Sequence, residues 1–199
     1  MVAFMISRYG AAALVLALST SAHPLEAPLS SGLTFPDLVG RTLSGTDARV
    51  GMRDGAAKVV VMTFTKEAAT SAQAWLDACR ADETAQPPTT PLPAAPSSSG
   101  PLVPPVACYD VRMGQAIPRL IRGFIEGRMK KGLKPENLSR VILVYKDNEA
   151  WRDRMVVIED NENQPFIVLV DRQGRVQSLL QGAFNAQALK AEQAKLALP

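Results

Sequence analysis

KVVVMTFTKEAATSAQAWLDAC, residues 58–79, changes its hydrophobic period halfway along. Residues 57–64, AKVVVMTF, form a continuous valine-rich apolar run of strand length, the pattern of a strand covered on both faces. From Thr65 the period becomes helical. Ala68, Ala72, Trp75, Leu76 and Cys79 recur on one face, Thr65 is placed to cap the amino end, and Glu67 suits the dipole of the first turn. A strand running straight into a helix predicts an α/β unit.

Working outward, the pattern repeats. VACYDV (106–111) alternates like a strand, and RVILVYK (140–146) and PFIVLV (165–170) read as buried strands. RVQSLLQ (175–181) follows the turn DRQG (171–174) as a hairpin partner. A short helix at 147–155 is expected to be capped by Asp147 or Asn148, with Trp151 and Met155 inward, and Asn185 caps a last helix over 186–197. FPDLVGRTLSG (35–45) suggests a short strand pair at the domain entrance. In the helix at 115–132, Ile117, Leu120, Ile121, Phe124, Ile125 and Met129 lie on one side. That stripe is wide enough to be core, which leaves Arg119, Arg122, Arg128, Lys130, Lys131 and Lys134 solvated. The competing use of the same helix is contact with an anionic membrane surface or a partner helix.

The chain has 199 residues, 47% apolar and 21% charged, enough for one domain with a substantial core. A net charge of +3 is too small to argue for nucleic acid. Near the start, Arg8, the apolar run AAALVLALS and the small residues Thr20–Ala22 form a secretory signal pattern ending at Ala22. Residues 23–34 read as a flexible arm and 35–199 as the domain, so a periplasmic or secreted product is expected. His23 is the only histidine in the chain and, with Pro24 after it, makes no metal site by itself. Residues 84–106 hold eight of the fifteen prolines and read as a loop insertion. Asp153, Glu159, Asp160 and Glu162 lack calcium-loop spacing and read as a solvated turn. No cofactor is expected. Cys79 and Cys108 are the only cysteines, and in an exported chain they are either joined or two separate buried thiols.

The order of these elements resembles the thioredoxin fold over 35–197. This is a three-layer α/β fold with a central mixed sheet, a carboxy-terminal antiparallel hairpin and a closing helix. KVVVMTFTKEAATSA is similar to the strand and active-site elbow of exported thioredoxin-like proteins, and QPFIVLVDRQGRV to the strand pair that begins at their cis-proline. GFIEGRMKKGL (123–133), VILVYKD with WRDRM, and LVDRQGRV ahead of Gly182 resemble the mitochondrial F0 ATP-synthase assembly factors and their bacterial relatives.

The resemblance implies that Ala69 and Ala72 stand where a Cys-x-x-Cys pair would be. Alanine can neither attack a disulfide nor resolve a mixed one. It also implies a cis Pro165, with Gln164 before it pairing with a bound peptide. Thr65, Lys66, Glu67, Ala69, Thr70, Ser71, Ala72, Gln164 and Pro165 are therefore the candidate peptide-binding residues, with no catalytic set among them. The expected function is a non-redox binding or assembly factor for a protein of the cell envelope. The alternatives are a thiol–disulfide oxidoreductase or peroxidase using Cys108 or Cys79, and a peripheral membrane module using the helix at 115–132.

Overall fold

A computed structural model describes residues 28–51, 55–85, 106–114 and 117–196. The expected signal segment, residues 23–27 of the arm and nearly all of the proline-rich insertion lie outside the described residues. Seven strands form one sheet: β1 (Leu38–Thr42), β2 (Asp47–Val50), β3 (Lys58–Thr63), β4 (Ala107–Met113), β5 (Val141–Val144), β6 (Phe166–Val170) and β7 (Val176–Gln181). Their order is β2-β1-β5-β4-β3-β6-β7. β3, β4 and β5 run parallel, with β6 and β7 added antiparallel beyond β3 and the β1–β2 hairpin beyond β5. The helices are α1 (Lys66–Ser71), α2 (Gln73–Ala85), α3 (Arg119–Lys131), α4 (Asn148–Arg154) and α5 (Ala186–Leu196). The mixed α/β architecture, hairpin and closing helix are those expected.

Both faces of β3 are covered, as its valine run requires: every residue from Lys58 to Thr63 is buried. On one face Val59, Val61, Cys108, Ile167 and Leu169 pack under Ala72, Trp75, Leu76 and Cys79 of α1–α2 and Leu189 and Leu196 of α5. On the other, Val60, Met62, Val111, Ile142 and Val168 pack against Trp151 and Met155 of α4 and against Phe35 and Leu38. The strand pairings put Val141 and Leu143 on the α2 face, where Met129 and Leu133 meet them.

Several expectations need correction. The single helix expected from Thr65 onward is broken at Ala72, which ends α1 and packs at the joint with zero exposure. Residues 28–34, assigned to a flexible arm, are tied down: Leu29 N donates to Arg154 O at 2.7 Å, Gly32 N to Val176 O at 2.7 Å, and Thr34 bridges Arg175. The strand pair expected within 35–45 is β1 alone, with its partner β2 after the turn at Ser44–Gly45. Asp147 does not cap α4 through its side chain but sits in the left-handed region at φ 57°, while Asn148 Nδ2 donates to Gly114 O. Pro165 immediately precedes β6 as a buried trans residue, for the described residues contain no cis peptide bond. The stripe of α3 is not core either. Leu120 is 98% exposed, Phe124 67% and Ile121 46%. α2, with the Asp110–Arg112 pair beneath, occupies the middle of that face, so α3 reaches only the strip above Val141 and Leu143.

Candidate functional site

Thr65 forms the corner where β3 turns into α1. Its Oγ1 accepts the amide hydrogen of Ala68 at 3.1 Å, satisfying a free donor of the first turn, and donates to Glu162 O at 3.3 Å. The second bond ties the corner to the turn that leads through Gln164 to Pro165. Gly182 N donates to Pro165 O and Trp75 Nε1 to Gly182 O at 3.1 Å, so β6, β7 and α2 meet behind the corner.

Beside the corner opens a cleft of about 870 Å³ at the carboxyl ends of β3 and β4, between α1 and α3. This is where open parallel sheets commonly receive ligands. Of the predicted binding residues, Thr65, Lys66, Ala69 and Thr70 line it, together with Phe64, Gln73, Arg112, Phe124, Arg128 and Tyr145. Glu67 and Ser71 are exposed outside it, Ala72 is buried below it, and Gln164 and Pro165 lie across the corner and do not line it. The lining includes Lys66, Arg112 and Arg128 but no carboxylate.

Arg112, not singled out from the sequence, lines the cleft, and its partner Asp110 is buried behind it. Asp110 is 1% exposed, and Arg112 Nη2 donates to its Oδ2 at 2.8 Å, with Nε beside both oxygens at 3.1–3.2 Å. A buried carboxylate needs such a partner. The signal was present in YDVRM, where two opposite charges at i and i+2 share one face of an apolar strand. Across the cleft Tyr145 donates to Glu126 Oε1 at 2.9 Å while Arg122 stacks 4.2 Å above its ring. Burial, then the hydrogen bond to and charge of Glu126, push the phenol up to about 12 against the pull of Arg122 and Arg41. Tyr145 therefore remains a protonated donor fastening α3. Glu162, from the expected solvated turn, pairs with Arg152 at 3.0 Å.

Cys79 and Cys108 are joined in a disulfide with their Cα atoms 6.2 Å apart and a sequence separation of 29. Each is 1% exposed. The bond fastens the middle of α2 to the start of β4, about 13 Å of strand away from Arg112 and the cleft. Arg80, next after Cys79, has Nε and Nη2 buried with no hydrogen-bond partner among the described residues.

No family model matches the chain, nor does any curated protein. The likeness to ATP-synthase assembly factors thus has no support beyond the sequence motifs that suggested it. Solved structures do match. One is a Chlorobium tepidum protein described as a thiol:disulfide interchange protein of the DsbE kind: 14% identity, 85% of this chain and 99% of that one, TM-score 0.55. Another is the thioredoxin domain of a thiol-disulfide oxidoreductase from Bacteroides vulgatus: 14% identity, 83% and 98% coverage, TM-score 0.55. A third is BsSco, of the Sco family of cytochrome c oxidase assembly proteins, in which a disulfide switch was identified: 10% identity, 86% and 96% coverage, TM-score 0.54. At such identities the likeness speaks for the fold. The non-redox expectation took the absence of thiols at Ala69 and Ala72 as absence of thiol chemistry. It is overturned by the bond that joins the two remaining cysteines one helix further on, in a fold whose matches include several thiol–disulfide proteins. The chain has the thioredoxin-like fold.

Proposed function

We propose that the protein is an exported thiol–disulfide exchange protein whose redox couple is Cys79–Cys108. The observation that carries this reading is the disulfide itself, which uses both cysteines of the chain within the β3–α2–β4 unit. A partner thiolate attacks one sulfur, the Cys79–Cys108 bond breaks, and the displaced sulfur leaves as a thiolate. A second partner thiol then resolves the mixed disulfide. The partner dithiol is oxidised by two electrons to a disulfide, and the chain is reduced to the dithiol. Both sulfurs lie under α2, so exchange requires the carboxy-terminal half of that helix to lift. The partner is a protein or peptide in an oxidising compartment, where such a bond persists.

Equilibration of the folded protein against glutathione or dithiothreitol buffers, read by mass after alkylation, tests this. A couple that titrates above about −300 mV, with the reduced form still folded, is expected of an exchange protein. A bond that resists reduction below that value is a structural staple, and the reading falls.

A further inference from the structure

α3 is a convex helix with an uncovered apolar side. None of its described side chains is buried. It is held from beneath by Tyr145 on Glu126, by Arg122 stacked on Tyr145, and by Met129 against the Leu43, Val141 and Leu143 cluster. Those contacts fix its rotation. Glu126 and Arg122 face the protein, and the opposite side carries Leu120 at 98% exposure and Phe124 at 67%, with Ile121 beside them. Leu120 and Phe124 are four residues apart and form one stripe along the helix, which Lys131 continues. The flank is bare: a Cβ at Gly123 or Gly127 would meet nothing within 4 Å.

The charge on this element is one-sided. Arg128, Lys130, Lys131 and Lys134 crowd its carboxy-terminal end, all exposed, and Glu126, turned to Tyr145, is the only carboxylate between residues 117 and 134. Large apolar side chains on one half and long cations on the other are the two elements by which a helix lies in a lipid interface. The apolar groups enter the acyl boundary while the lysine and arginine stems reach up to anionic headgroups. Phe124 and Arg128 also form the rim of the cleft, but Leu120 and the outer side of the helix are open to solvent, and such a convex stripe demands no matching register, which suits a fluid surface. No described helix is long and apolar enough to cross a membrane, so the contact is one of lying on the surface.

We propose that the outward side of α3, centred on Leu120 and Phe124 and flanked by Arg128, Lys130 and Lys131, docks on an anionic lipid bilayer surface. Because the amino-terminal apolar segment of the full chain can itself partition into vesicles, the readout must be local to α3. Hydrogen exchange of the 119–131 amides is measured on the full chain with phosphatidylcholine vesicles, with and without phosphatidylglycerol. Exchange is expected to slow about tenfold or more with phosphatidylglycerol at low salt, and to return toward the free rate at high salt or on phosphatidylcholine alone. Leu120→Asp with Phe124→Asp should abolish the protection, and Lys130→Glu with Lys131→Glu should weaken it. These side chains are exposed, so each variant should keep the wild-type circular dichroism. Unchanged exchange in 119–131 on anionic vesicles overturns the proposal, and leaves a protein partner for this face. Protection that survives the double Asp variant, or that is equal on neutral vesicles, overturns it as well.

Discussion

Reducing the Cys79–Cys108 bond lengthens the free chain that the unfolded state can explore. The bond closes a loop with 29 residues of sequence separation. In the chain-entropy account a loop of that size removes about 12 cal/mol/K from the unfolded ensemble, or about 3.5 kcal/mol at room temperature. A domain of this size has about 5–15 kcal/mol to lose, so the reduced protein should stay folded. Its midpoint should fall by about 7–14 °C, at 2–4 °C per kcal/mol for 150–250 residues. Thermal melts of the oxidised and dithiothreitol-reduced forms, followed by circular dichroism with the thiol state checked by mass, measure the difference. Midpoints within about 2 °C of each other would mean that the loop is already constrained without the bond, and the loop-closure reasoning fails. Outright unfolding on reduction would fail it in the other direction. It would also remove exchange as a function, since a couple must survive in both states.

Three further outcomes follow from the packing. Gly40→Ala would place a Cβ 2.6 Å from Ile142 Cγ2 and 2.7 Å from Leu143 O, so β1 must shift from β5; urea denaturation should show a loss of about 1–3 kcal/mol, and an unchanged midpoint would contradict the contact. Tyr145 has its folded pKa raised from 10.0 to about 12, so its anchoring of α3 is complete below pH 10 and is lost as the pH rises through about 12; the ultraviolet difference titration between wild type and Tyr145→Phe should show its step near the upper value, not the lower. Asp110→Ala leaves Arg112 without its carboxylate at the floor of the cleft, and because Arg112 is 22% exposed the loss should lie near the lower end of the 3–5 kcal/mol typical of a broken buried pair; a denaturation midpoint equal to wild type would show that water replaces the carboxylate without cost.

The sequence disclosed most where a signal was local. The valine run of β3 is buried throughout, and each of Ala68, Ala72, Trp75, Leu76 and Cys79 faces the core as its spacing indicated. Thr65 caps α1, and Asn185 Oδ1 accepts the amides of Gln187 and Ala188 at the start of α5. What failed was non-local. The periodicity of α3 revealed an apolar stripe but not what lies over it, and the sheet beneath offers it only Val141 and Leu143 because α2 already covers the centre. The cleft was half legible. Thr65, Lys66, Ala69 and Thr70 lie on the stretch that declared the fold, whereas Arg112 and Tyr145 arrive from strands whose order pairing alone decides.

The disulfide sits at the middle of α2. Its amino-terminal part is held by Ala72, Trp75 and Leu76, all but fully buried, and by the indole hydrogen bond to Gly182 O, with the Trp75 ring edge-on to Phe184 at 5.2 Å. Beyond Cys79 the helix continues with half-buried Arg80 and exposed Ala81, and the bond to Cys108 ties the middle of α2 to β4. Local opening draws on the parts of a fold with the fewest buried apolar contacts. Cleavage of the bond removes one tie between α2 and β4 and should leave the well-packed corner at Thr65 and the cleft beside it in place. In the thioredoxin-like plan the thiols sit at the corner itself, so redox state and the binding surface change together. Here alanines occupy the corner and the bond lies about 10 Å of helix further along α2, counted from Ala72 to Cys79 at 1.5 Å per residue. For the proposed couple the two should then be separable: a cleft expected to keep its shape in both redox states, and a tie on α2 that is lost on reduction.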